Sequence, residues 1–124
     1  MNTWNVLLVD EEEEFVSTLA ERLRLRGVSV RTALSIEQAF TSIESCSPRI
    51  IVLDLMFEEM SGMDMIRRLR IEFPNIGIIG LAGLGRTKDA QESLRLGARY
   101  CLMKPFQIEE LLEVLDDAVR NPDS

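Results

Sequence analysis

The chain has 124 residues and a formal net charge of −7, with 14 Lys and Arg against 21 Asp and Glu and no His. That length suits one domain burying roughly two-thirds of its unfolded surface. The acidic balance argues against direct binding of nucleic acid or of a membrane surface, both of which would repel it at long range. The missing histidine disfavours Ser-His and Cys-His catalysis, and Cys46 and Cys101 lie too far apart, with no ligand spacing, for zinc chemistry. No apolar stretch approaches a membrane span and the amino terminus lacks a signal-peptide pattern, so a cytoplasmic location is expected.

Short apolar runs alternate with amphipathic segments along the chain. A strand is predicted near residues 5–10, followed by a helix on the spacing of Phe15, Leu19 and Leu23 that stops at Gly27. A second strand near 28–32 leads to a helix carrying Ile36, Ala39, Phe40 and Ile43, opened by a capping box of Ser35 and Gln38. The third strand, 50–54, precedes a helix with Ile66, Leu69 and Phe73 that Pro74 closes. The fourth strand, 76–81, precedes the weakest helix, near 87–96, whose apolar members are Ala90, Leu94 and Leu96 and whose stop is Gly97. The fifth strand, 100–103, precedes a helix with Ile108, Leu111, Leu112 and Leu115. Residues 121–124 read as a tail or the start of a linker. The Val- and Ile-rich strands match buried parallel strands. Five such units imply a single α/β domain over 1–124, a doubly wound five-stranded parallel sheet with helices on both faces.

A parallel sheet gathers the carboxyl ends of its strands along one edge. Asp10, Asp54 and Lys104 each stand at such an end, after Asn5–Val9, Arg49–Leu53 and Tyr100–Met103. With Glu11 beside Asp10, three carboxylates are expected in one crevice, and charges so close need a cation. Magnesium fits, because it takes oxygen ligands from a few carboxylates and completes its shell with water or a phosphate oxygen. Glu12, Glu13 and Glu14 read instead as the acidic first turn of a helix. The same acidic run would reject a phosphate bound directly after the first strand, which argues against a flavodoxin-type site. Asp54 is then the candidate nucleophile towards phosphorus, with Lys104 neutralising charge on the phosphoryl oxygens. Pro105 biases Lys104 towards extended geometry and admits a cis peptide.

With these residues in place, the chain resembles the receiver domains of two-component response regulators over essentially its whole length. The matching stretches are Val6–Phe15, Ile51–Met56, Gly62, Leu96–Ala98 and Leu102–Phe106. The resemblance implies a flavodoxin-like strand order 2-1-3-4-5 and a bacterial signalling protein that is not an enzyme. It implies phosphorylation of Asp54 by a histidine kinase or histidine phosphotransfer protein, since this chain has no histidine to act as donor. It further implies a Mg2+ site from Asp10, Glu11, Asp54 and the Met56 backbone carbonyl, and Lys104 contacting the phosphoryl group. An output domain or downstream protein would dock on the face of the fourth helix, fifth strand and fifth helix, around Gln91, Arg95, Arg99 and Tyr100.

Several positions depart from that pattern. The Thr or Ser usual at the end of strand four is Ala82, and the usual aromatic of strand five is Cys101, so both switch positions are changed. Strand alternation sends the neighbouring Tyr100 to the opposite face. Glu11 replaces the usual second Asp, Glu58 replaces a common Pro, and Gly83 with Gly85 loosens the loop where the switch acts. Two readings follow: a phosphoacceptor receiver, or a phosphorylation-independent interaction module that has lost its switch. An unrelated phosphatase is a distant third, for want of a second acid to hydrolyse an aspartyl phosphate.

Overall fold

The five apolar runs form β1 (Asn5–Val9), β2 (Ser29–Ala33), β3 (Ile50–Asp54), β4 (Gly77–Ala82) and β5 (Tyr100–Met103). The amphipathic segments form α1 (Glu13–Leu25), α2 (Ile36–Cys46), α3 (Gly62–Glu72), α4 (Thr87–Arg95) and α5 (Ile108–Arg120). These are the elements of a computed structural model that describes residues 5–57 and 60–121; Trp4, Glu58 and the tail 122–124 lie outside the described residues. All strands pair in parallel in the order β2-β1-β3-β4-β5, the flavodoxin-like arrangement expected from the resemblance.

Strand alternation divides the core in two. Val6, Leu8, Ile50, Val52, Ile79 and Leu81 pack with α1 and α5 on one face of the sheet. Leu7, Val9, Ile51, Leu53, Ile78 and Ala82 pack with α2 and α3 on the other. β3 is covered on both faces and buried along its whole length, which is why Ile50–Leu53 are all apolar and only Asp54, at its carboxyl end, is not.

Local signals set the helix ends. The Gly27 N–H donates to the Arg24 carbonyl at 3.0 Å as the chain leaves α1, at a φ of 83° that favours glycine. Ser35 accepts from the Gln38 N–H at 3.1 Å, while the Gln38 side chain accepts from Leu34 at 2.9 Å, one residue before the partner a standard capping box uses. Ser61 caps α3 through the Asp64 N–H at 3.1 Å. The loop from β3 to α3 needs a glycine: a Cβ on Gly62 would stand 2.5 Å from the Leu55 Cα.

α4 buries a different face from the one its apolar spacing predicts. Leu94, expected on the inner face, is 46% exposed, and Ser93 is the residue buried there. The helix is rotated so that Ala90, Ser93 and Leu96 meet the sheet, and the Ser93 hydroxyl donates to the Ala90 carbonyl at 2.7 Å. A serine satisfied by its own helix can be buried at little cost, so a polar residue took the position that apolar spacing assigned to Leu94.

No helix among the described residues is long and apolar enough to cross a membrane.

Candidate functional site

Asp10 follows β1, Asp54 ends β3 and Lys104 follows β5, so the three charges share the carboxyl edge of the sheet. Asp10 is fixed by backbone on both sides: its N–H donates to the Ala33 carbonyl at 3.1 Å, and its Oδ1 accepts from the Glu12 N–H at 2.9 Å. The Asp54 Oδ1 accepts from the Met56 N–H at 3.1 Å. Lys104 is placed by β4, because its N–H donates to the Ala82 carbonyl at 2.8 Å, and the Lys104–Pro105 peptide is cis.

The Lys104 ammonium lies 2.9 Å from Asp10 Oδ2, 3.4 Å from Glu12 Oε1 and 3.9 Å from Asp54 Oδ1. It also stands 4.3 Å from the centre of the Phe15 ring, and Phe15 meets Phe106 edge to face with centroids 6.3 Å apart. One carboxylate oxygen from each of Asp10, Glu12 and Asp54 lies within 4.8 Å of the other two. The set is therefore three hard anionic oxygens facing one ammonium.

Asp10 is 2% exposed and Asp54 6%. Burial pushes the Asp54 carboxyl up to about 6; the Met56 N–H opposes this, the Asp10 charge adds to it, and the Lys104 charge again opposes it. Burial alone would lower Lys104. The hydrogen bond and charge of Asp10, then the charges of Asp54 and Glu12, outweigh burial, so its pKa stands above the usual lysine value. Two buried acids and a lysine that stays charged are what a site for a small divalent cation and a phosphoryl group needs.

The acids present fit magnesium by their chemistry, yet one of them is not the residue expected. Glu11 is exposed and is not among the three clustered carboxylates, whereas Glu12, read as part of the helix's first turn, is. The reason lies in the backbone, which is still extended at Glu12 (φ −80°, ψ 94°) before α1 begins. The Asp10 carboxylate, bonded to the Glu12 N–H at 2.9 Å across a bend at Glu11, holds Glu12 beside Asp10.

Ala82 is fully buried in the core beneath α3 and α4. Cys101 is half-buried and free, and its thiol pKa is raised chiefly by burial, with the Ser93 hydroxyl opposing and Asp89 adding. A Cβ on Gly80 would lie 3.3 Å from Leu55 Cδ2 and 3.5 Å from the Cys101 Sγ, so Leu55 and Cys101 fill the space above that glycine. Tyr100 packs on the other face, with α1 and α5, as alternation predicts. A cavity of about 1,100 Å3 opens at the opposite end of the sheet, but there Arg49 bonds the Val119 carbonyl and Arg70 those of Pro74 and Ile76.

Known proteins resemble this arrangement in sequence and in fold. The chain is 32% identical over 111 residues to the photosynthetic apparatus regulatory protein RegA of Cereibacter sphaeroides, covering 90% of this chain and 60% of RegA. It is 36% identical over 111 residues to the probable transcriptional regulator ycf27 of Cyanophora paradoxa, covering 90% of this chain and 46% of that protein. The chain thus spans about half the length of the curated relatives it matches. Among solved structures, the FixJ-N crystal structure superposes with a TM-score of 0.89 at 29% identity, covering 98% of this chain and 97% of that one. The receiver domain of NtrX from Brucella abortus gives 0.89 at 25% identity, over 94% and 98% of the two chains. The model of the response regulator receiver domain matches residues 6–116, and the chain belongs to that family.

Proposed function

We propose that this receiver takes a phosphoryl group on Asp54 from a phosphohistidine of a partner histidine kinase or histidine phosphotransfer protein. One observation carries the reading: Asp54 is held nearly buried at a strand end, with a second buried acid and a charged lysine converging on it. An Asp54 oxygen forms the new bond to phosphorus as the bond from phosphorus to the donor imidazole nitrogen breaks, and the electron pair leaves with that nitrogen. Lys104, reaching across from β5, swings from Asp10 towards the incoming phosphoryl oxygens, where a charge-assisted hydrogen bond stabilises them. The Met56 N–H, which holds one Asp54 oxygen, leaves the other to attack.

Asp10, Asp54, the Met56 carbonyl and one of Glu11 or Glu12 would hold magnesium. When bound, the ion neutralises charge on the phosphoryl oxygens. The site sits in a domain spanning 1–124 and works in the cytoplasm. The output contact is the face of α4, β5 and α5 around Gln91, Arg95, Arg99 and Tyr100. A phosphorylation-independent binding role, suggested by Ala82 and Cys101, has less support from relatives that are named as regulators.

The test is incubation with magnesium and a small phosphodonor, followed by mass spectrometry. Phosphate is expected on Asp54, dependent on the divalent ion and absent from Asp54→Asn. Label on any other residue overturns the assignment.

A further inference from the structure

We infer that Phe15 is a positioning residue for Lys104: its ring face cradles the ammonium and sets where the lysine can reach at the phosphoryl site. This rests on the reading of Asp54 as acceptor, but the observation behind it is separate.

Lys104 has a long flexible stem, and its side chain is only 20% exposed. Two kinds of group hold its tip. Asp10 and Glu12 supply charge at 2.9 and 3.4 Å, and the Phe15 ring supplies a π face with its centroid at 4.3 Å. That distance lies well inside the range over which a ring quadrupole attracts an ammonium, and partial burial strengthens the attraction. The carboxylates alone are a poor guide for the lysine, because in phosphoryl transfer they are the groups that turn to a cation. The ring cannot be recruited that way, so it stays a fixed reference while the ammonium exchanges partners.

The fold keeps the ring still. Phe15 lies one turn beyond Glu12, on the side of α1 facing the sheet, so ring and carboxylate flank the same ammonium. Phe106 packs its ring against Phe15 at an interplanar angle of 89°, and Phe106 sits two residues past Lys104 on the same loop. The segment that carries the lysine thus also braces the ring the lysine rests on. Apolar spacing would class Phe15 as an ordinary core position, yet Val16, Leu19, Ala20 and Leu23 fill the buried face of α1 and Phe15 is only partly covered.

The experiment compares the parent with Phe15→Leu, Phe15→Trp and Phe106→Leu, each retaining apolar bulk. Two readouts are taken. The first is the proton shift of the Lys104 CεH2 group in the unphosphorylated protein, which a ring face moves upfield. It should be upfield in the parent and Phe15→Trp, reduced in Phe106→Leu where the ring loses its brace, and lost in Phe15→Leu. The second is the rate of Asp54 labelling by acetyl phosphate at saturating magnesium. It should fall about threefold to tenfold in Phe15→Leu, as expected for one lost cation–π contact, and return in Phe15→Trp. Magnesium affinity should be the same in all four proteins. Labelling of Phe15→Leu at the parental rate overturns the inference, as does a Lys104 shift indifferent to the ring. If no protein takes up phosphate, the acceptor reading has failed and the shift alone decides whether Phe15 holds Lys104.

Discussion

Lys104 stops 3.9 Å short of Asp54 while it bonds Asp10 at 2.9 Å, so the lysine rests on the neighbour of Asp54. Removing it should therefore have two effects. Lys104→Ala leaves Asp10 and Asp54 facing each other without a cation, and should cost about 1–3 kcal/mol of stability at neutral pH. It should also slow labelling of Asp54. Denaturant melts and phosphodonor time courses check the two effects separately, and a variant as stable as the parent would mean the charges are better screened than their burial implies.

The second prediction concerns pH. Asp54 titrates near 6 in the folded chain against an ordinary value of 3.8. Between those values the folded state holds a proton that the unfolded state has released, so this group's contribution to stability declines as pH rises through that window and stays low above it. Asp54→Asn removes the penalty. It should raise stability by about 1–2 kcal/mol at pH 7.5 and change it little at pH 4. Urea denaturation at the two pH values decides; an equal gain at both would place the effect elsewhere.

The third prediction separates the two glutamates. Magnesium or manganese should shift the backbone amides of residues 10–12 and 54–57, and Asp54→Asn should weaken the binding. Glu12→Gln should weaken it if the clustered carboxylates hold the ion as they stand, and Glu11→Gln if Glu11 turns inwards on binding. Amide shifts followed through a metal titration read both. Identical titration of all three variants and the parent would refute the convergence of these acids on a cation.

A fourth prediction addresses the switch positions. Ala82 has no hydroxyl to report a phosphoryl group, and a hydrogen bond to a charged group is worth about 1.5–3 kcal/mol. Phosphorylation should perturb residues around Asp54 and barely alter hydrogen exchange over 83–103. Ala82→Thr should enlarge the response, at a cost of about 1–3 kcal/mol for crowding a fully buried site. A large protection change in the unaltered protein would show that coupling does not need the hydroxyl.

Gly62→Ala is the structural control. The new methyl would meet backbone and side chain of Leu55 at once, so a loss above about 2 kcal/mol is expected. A melting curve suffices to check it.

Most of the fold was legible because each element repeats one simple period. β1 and β3, buried on both faces, read as apolar runs of Val, Leu and Ile, and α1, α2, α3 and α5 carry apolar residues at helical spacing. The strand-end rule then delivered Asp10, Asp54 and Lys104 without any knowledge of side-chain position. What stayed hidden depended on orientation within one or two residues. Glu12 joined the acids because the chain bends at Glu11 and the Asp10 carboxylate holds the Glu12 N–H, and no composition signal in Asp10-Glu-Glu-Glu-Glu14 marks where the helix takes over. The seat of α4 was missed because a self-satisfied serine looks polar in sequence and behaves as a small buried residue in the fold.

That serine has a consequence for motion. Ser93 is the one fully buried side chain of α4, with Ala90 and Leu96 partly covered, so this helix removes less apolar surface from water than α1 or α5 and less free energy opposes its lifting from the sheet. α4 should open as a separate cooperative unit well below the global unfolding free energy, its amides exchanging before those of α1 or α5. A partner docking there would therefore meet a helix that yields at low cost, and hydrogen exchange over Thr87–Arg95 measures that cost.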